Sequence, residues 1–216
     1  MRLYNLLKIK YHLTKKELSD FVKLHKITIN NESCSLSTII NDSDKVYIDD
    51  ILIDKPIFVY YLYNKPKGIT SVISNKDDSY IKHINVKERV FPAGRLDKDS
   101  NGLLFLSNDP EMLNEITKDK TIYDKEYIVT VKNLITKEFL TNMSKAHNLD
   151  NKMTTPAKVK RIDDYNFNII LYEGMYHQIR RMVKMNNNKV IELKRIRIGK
   201  YKLDDINLGS IKQIEK

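Results

Sequence analysis

The longest uninterrupted apolar or aromatic run is Ile57-Phe58-Val59-Tyr60-Tyr61-Leu62-Tyr63, directly after Pro56. A membrane helix needs ~20 such residues, so the run is read as a buried strand. Pro56 ends whatever precedes it. The chain of 216 residues is therefore expected to form two domains, a small one over 1–54 and a larger one over 57–216. Hydrophobic residues at 41% supply a core. Lys8 and Lys10 stand where a signal peptide would carry its apolar stretch, so a cytoplasmic protein with no membrane association is expected. The single cysteine, Cys34, excludes an intramolecular disulfide and a multi-cysteine zinc site. With five scattered histidines, no metal is expected.

Within the first domain Leu3, Leu6 and Leu7 share a helical face. Thr14-Lys15-Lys16-Glu17 has the spacing of a capping box. Leu18, Phe21 and Val22 continue that second helix, and Ile27-Thr28-Ile29 and Val46-Tyr47-Ile48 read as strands. Residues 1–26 carry seven Lys/Arg against two acids, and residues 27–54 one Lys against six acids. Two ordinary solvated faces would give this separation, and so would a module that offers a basic helix to RNA.

The second domain alternates strands and short helices. Asn64 to Gly68 reads as a turn and Leu103 to Leu106 as a buried strand. Asp109-Pro110 is a helix start with an N-cap acid and a proline at the first helical position. Tyr127 to Val131 is a strand and Thr136 to Ser144 a helix. Residues 158–162 and 167–171 form a hairpin, Ile179, Met182 and Val183 mark a helix that ends at Asn186-Asn187-Asn188, and Val190-Ile191 and Arg195 to Ile198 are closing strands. The mixture predicts an α+β fold with a mainly antiparallel mixed sheet.

Three segments could carry chemistry. Phe91 to Gly102 is a polar loop ahead of an apolar strand, where Asp97 lies between Arg95 and Lys98. A positioned carboxylate can act as nucleophile or base, and an acidic turn capped by Asp99 and Asn101 has the same composition. Glu173 to Met182 places Arg180 and Arg181 beside an apolar helical face. From Arg180 to Lys202 there are nine Lys/Arg and one acid, Glu192. Such a run suits a phosphate track or a solvated basic face, and His177 by itself reads as a structural hydrogen-bonder. Tyr127 opens a strand and could stack on a base or belong to the core. The formal net charge of +10 favours a polyanionic partner.

Gly94-Arg95-Leu96-Asp97, within FPAGRLDKDSNGLLFLSND, resembles the signature loop of the RsuA/RluB/RluE/RluF family of rRNA pseudouridine synthases. NKPKGITS (64–71), KEYIVTV (125–131), EGMYHQIRRMV (173–183) and NKVIELKRIRIG (188–199) resemble its other motifs in order, and 1–54 resembles its S4-like RNA-binding module. Two departures lie in that module: Lys15-Lys16 replace the usual arginine, and Leu24-His25-Lys26 lacks the usual glycine. The resemblance implies a cofactor-free isomerase that breaks the N1–C1′ bond of a uridine, turns the base and rejoins it through C5. It implies Asp97 as the catalytic carboxylate, Arg180 paired with it, Tyr127 against the flipped base and Arg95 in the space that base vacates. RNA contacts would come from Lys15, Lys16, Lys23, His177, Arg181, Lys194, Arg195 and Arg197. Tyr176-His177-Gln178 looks closer to the small-subunit enzymes than to the large-subunit group. The expected partner is thus rRNA or the assembling small subunit, bound by a monomer, with a large-subunit target or a non-catalytic assembly factor as alternatives.

Overall fold

The structure is a computed structural model that describes residues 1–118 and 122–215. The chain divides into two compact units, Met1–Phe58 and Val59–Lys216. The first opens with α1 (Leu3–Lys10) and α2 (Lys15–Leu24). Leu3, Leu6, Leu7 and Leu18 are buried together from these helices. The capping box forms as the sequence predicts: the Thr14 hydroxyl accepts from Glu17 N–H at 3.3 Å, and the Glu17 carboxylate accepts from Thr14 N–H at 2.7 Å. Four strands follow, β1 (Ile27–Ile29), β2 (Glu32–Ser33), β3 (Val46–Ile48) and β4 (Ile51–Ile53), in the order β2-β1-β3-β4. Ile29, Val46, Ile48 and Ile53 close the core against the helices.

The second unit runs β5 (Tyr60–Lys65), a 3-10 turn (Tyr80–Lys82), β6 (Phe91–Pro92), β7 (Asn101–Ser107), α3 (Pro110–Lys118), β8 (Lys125–Val131) and α4 (Lys137–Met143). It continues with β9 (Asn148–Leu149), β10 (Lys152–Met153), β11 (Lys158–Arg161), β12 (Asn166–Leu171), α5 (Gln178–Met185), β13 (Val190–Ile198), β14 (Tyr201–Lys202) and β15 (Ile211–Ile214). The main sheet has the order β11-β12-β8-β13-β7-β5-β15, and along it only β13 and β7 run parallel. The predicted mainly antiparallel α+β architecture is what folds.

Strand β7 explains the apolar run at its centre. Leu103, Leu104, Phe105 and Leu106 are all fully buried, so the strand is covered on both faces and alternation would be out of place. Each such side chain contributes about 1.5–3 kcal/mol. Leu104 and Leu106 join the larger core with Tyr61, Tyr63 and Val129. On the other face Phe105 meets Tyr60 and Tyr201. Helix α3 begins where Asp109-Pro110 predicts, with the Asp109 carboxylate accepting from Glu111 and Met112 N–H.

Two boundaries differ from the sequence reading. The aromatic strand begins at Tyr60 and takes in Asn64 and Lys65, which were expected in a turn. Pairing with β7 continues to Lys65, opposite Gly102, because the Lys65 side chain finds a buried set of acceptors. The two closing strands are one, β13, carried across register shifts at Val190/Glu192 and Arg195/Arg197.

Candidate active site

The loop from Ala93 to Ser100 joins β6 to β7, and its backbone is tied at nearly every residue. Ala93 N–H donates to Phe105 C=O at 2.8 Å. The Ser71 hydroxyl donates to Leu96 C=O at 2.7 Å and accepts from Leu96 N–H at 3.1 Å. Ser100 N–H closes a turn onto Asp97 C=O, and Gly68 N–H donates to Lys98 C=O. Three cationic side chains take three further carbonyls. Arg195 donates to Arg95 C=O at 3.2 Å, Arg180 to Asp99 C=O at 2.9 Å, and Lys65 to Ser100 C=O at 2.7 Å. This network lies mostly between residues distant in the chain, and it holds one short segment in one conformation.

Lys65 is the least expected member. It is fully buried, and its ammonium also donates to Pro66 C=O and Ile69 C=O at 2.9 and 2.7 Å. Burial, with the nearby Arg195 charge, pushes its pKa down to about 8. Lys65→Met would strip the donor from three carbonyls and is expected to destabilise the fold by roughly 2 kcal/mol at neutral pH. The pH dependence has a definite sign. Between about 8 and the unfolded value of 10.5 the unfolded chain binds more protons at this position, so stability rises with pH. Urea unfolding of wild type and Lys65→Met at both pH values should show the gap between them widening, by on the order of 1 kcal/mol from about pH 7 to about pH 9. A gap that stays flat or narrows would show that Lys65 is not buried as a charge.

A pocket opens beside this loop. Its wall includes Arg95 and Asp97 from the loop, Tyr127 from β8, Arg195 from β13, and Tyr176 and His177 from the turn before α5. Tyr127 and Arg195 are direct cross-strand partners, which places their side chains on one face of the sheet. Tyr127 is 8% exposed and Arg195 1%. The Arg195 Nε donates to Leu103 C=O at 2.7 Å, and among the described residues its Nη2 has no hydrogen-bond partner. Among the described residues the Asp97 carboxylate accepts no hydrogen bond, and the nearest basic side-chain nitrogen is His177 Nε2 at 3.7 Å. His177 is held in the left-handed region, φ 48° and ψ 33°, as the N-cap of α5. Asp97 thus presents an uncommitted carboxylate on a fixed backbone, beside a tyrosine face and a buried guanidinium. That combination can position a planar ligand and attack it or take a proton from it.

The structure brings Asp97, Tyr127, Arg95 and His177 together and moves other expected residues elsewhere. Arg180 does not pair with Asp97: its guanidinium reaches the Asp99 carbonyl and the Ser100 hydroxyl, because the turn at Asp97 offers that helix its carbonyl side. Lys98, next to Asp97 in the sequence, pairs with Asp78 at 2.8 Å and holds that carboxyl below its ordinary range. Arg195 is no surface phosphate ligand, since it is buried under the loop. Arg197 is also withdrawn, gripped by Asp124 and by Glu126 at 2.6 Å, with its pKa raised by both. Arg181 pairs with Asp150 at 2.6 Å. Lys194 is half-buried, while Lys15, Lys16 and Lys23 are exposed on α2, where Lys23 pairs with Asp20. The sequence reading gave the side chains of Lys65, Ser71 and Tyr176 no role at the site. Lys65 stood in a recognised motif, but only its partners at Ile69 and Ser100 reveal its role.

No three His, Cys, Asp or Glu side chains among the described residues come together as a metal site requires, and no described helix is long and apolar enough to cross a membrane.

The chain is similar to known proteins along nearly its whole length. It is 34% identical to the dual-specificity RNA pseudouridine synthase RluF of Escherichia coli, over 91% of this chain and 69% of that one. It is 31% identical to ribosomal small subunit pseudouridine synthase A of Haemophilus influenzae, over 95% of this chain and 91% of that one. With ribosomal large subunit pseudouridine synthase B of Bacillus subtilis it shares 28%, over 93% and 86%. A crystal structure of a pseudouridylate synthase superposes with a TM-score of 0.68 at 29% identity, covering all of this chain and 96% of that one. The sequence profile of RNA pseudouridylate synthases matches residues 59–185, a span that holds the tied loop, Asp97, Tyr127 and the turn before α5, and the chain therefore belongs to the RNA pseudouridylate synthase family.

Proposed function

We propose that this chain isomerises one uridine of small-subunit rRNA to pseudouridine, with Asp97 as the catalytic carboxylate. The observation that carries the reading is the contrast within one loop: its backbone is tied by Lys65, Ser71, Arg180 and Arg195, while the Asp97 side chain accepts no hydrogen bond among the described residues and faces the pocket. Tyr127 lies against the flipped base. Arg95, exposed at the pocket wall, fills the space that base leaves in the stack. Extruding the base costs roughly a few kcal/mol, which favourable contacts in the pocket offset. Arg180 acts as a positioning residue through the Asp99 and Ser100 segment. The product is an isomer of the substrate, so the reaction has no net redox change and requires no redox cofactor.

Residues 1–54 serve as an S4-like RNA-binding module that presents Lys15, Lys16 and Lys23, and His177 and Lys194 add contacts near the pocket. Phosphate contacts fix the register of the RNA and leave the choice of uridine to the pocket and the turn before α5. The substrate is the rRNA or the assembling subunit, and the enzyme works as a monomer in the cytoplasm. Small-subunit rRNA is favoured by Tyr176-His177-Gln178. The similarity to the large-subunit enzyme of Bacillus subtilis favours a large-subunit target as the second reading.

Release of tritium from RNA labelled at uridine C5 decides between them, because rejoining the base through C5 expels that hydrogen. Small-subunit rRNA, its partly assembled particle and large-subunit rRNA are compared. Release from either small-subunit substrate is expected. Release from large-subunit rRNA alone would move the target, and binding without release on all three would leave an assembly factor.

A further inference from the structure

Tyr176 is 67% exposed at the wall of the pocket, and nothing in the chemistry above uses it. Its ring stacks on His177, with centroids 4.0 Å apart and planes 13° from parallel. His177 in turn reaches to 3.7 Å from the Asp97 carboxylate. The turn beneath is braced. Met175 N–H donates to the Gln178 side-chain oxygen at 3.0 Å, the Gln178 amide donates to Glu173 at 3.2 Å, and Glu173 accepts from Thr155 N–H at 2.7 Å. The left-handed N-cap at His177 is an uncommon conformation for a residue with a Cβ, and the surrounding structure must over-determine it. One face of the Tyr176 ring is therefore covered and fixed, and the ring stands at the pocket mouth.

We propose that Tyr176 is a second stacking shelf, which holds a nucleobase adjacent in the RNA to the target uridine. The inference rests on the RNA-modifying reading above. When a uridine is drawn out of its stack, its neighbour loses a stacking partner, and an aromatic side chain restores that contact with little regard to which base it meets. Tyr127, buried at 8% exposure, can take only the flipped base. Tyr176, outside it and on the far side of His177, meets the next nucleotide. The column of base, Tyr176 and His177 also ties the seating of the flanking nucleotide to the group nearest Asp97, which makes Tyr176 a positioning residue.

The test uses a fragment of whichever rRNA releases tritium with wild type, prepared intact and with an abasic site at each nucleotide flanking the target. On intact RNA, Tyr176→Ala is expected to raise KM roughly tenfold, with kcat moved by less than about threefold. Tyr176→Phe keeps the ring and restores wild-type KM. On one of the abasic fragments wild type itself shows the raised KM, and Tyr176→Ala adds nothing to it. An equal penalty on intact and abasic RNA, or no penalty at all, would overturn the shelf. A wild type silent on every rRNA would bring down the functional reading, a result separate from either of those.

Discussion

Asp97→Asn is expected to lower tritium release from uridine C5 by roughly 10³-fold or more, while RNA binding and stability stay close to wild type. Asparagine keeps the shape of aspartate and loses its charge and its capacity as nucleophile or base. The structure makes this substitution unusually clean. The loop around Asp97 is held through backbone atoms, by Ser71 at Leu96, Gly68 at Lys98 and Lys65 at Ser100. The Asp97 carboxylate itself takes no part in those bonds, and among the described residues the basic group closest to it is the His177 imidazole at 3.7 Å. Removing the charge should therefore shift urea unfolding by no more than about 0.5 kcal/mol. A variant that keeps a tenth or more of the wild-type rate would show that another group carries the reaction. One that loses both activity and stability would show that Asp97 holds the loop instead of acting from it.

The site was legible in the sequence to the extent that it is local. Asp97 and its turn lie within residues 91–102, a segment short enough for its glycines, acids and following apolar strand to be seen at once. The capping box at Thr14 and the start of α3 at Asp109 are local in the same way, and both formed as read. What the sequence hid is the pairing of cations with distant partners. Arg195-Ile196-Arg197-Ile198 reads as a strand with a basic face. Yet Arg197 meets Glu126 and Asp124, 71 and 73 residues earlier, and Arg195 meets carbonyls at Leu103 and Arg95, 92 and 100 residues earlier. A buried charge without partners is costly, so such residues look like surface ligands until the sheet order is known. Lys65 was obscured for the same reason: alone it belongs to a turn, and with Ser100, 35 residues on, it belongs to the floor of the loop. The basic character of the chain was thus overread as RNA contact, and part of it is internal scaffolding for one acidic residue.

That scaffolding depends on a close approach of backbones at Gly102, and Gly102→Ala is expected to be the most damaging small substitution in the second unit. Gly102 has φ +105°, a region that L side chains rarely enter. A Cβ built there would lie 2.2 Å from the Arg195 carbonyl oxygen and 2.8 Å from its amide nitrogen. Neither neighbour can yield: Gly102 pairs with Lys65 on one side and Arg195 on the other, so strand β7 is held from both directions. The clash is with backbone, and relief would require β13 to move away from β7. Arg195 would move with it, losing its bonds to Leu103 and Arg95, and Lys65 would be displaced from beneath Ser100. A loss of more than about 4 kcal/mol is expected, enough to leave the larger unit unfolded or loosened at ordinary temperature. Gly174→Ala is the matched control, because its Cβ would meet nothing within 4 Å and its backbone is unexceptional; it should lie within about 0.5 kcal/mol of wild type. Urea unfolding and limited proteolysis of the two variants would separate the cases. If Gly102→Ala folded within about 1 kcal/mol of wild type, the parallel pairing of β7 with β13 would have to be looser than its geometry indicates, and Arg195 would not be fixed beneath the Asp97 loop.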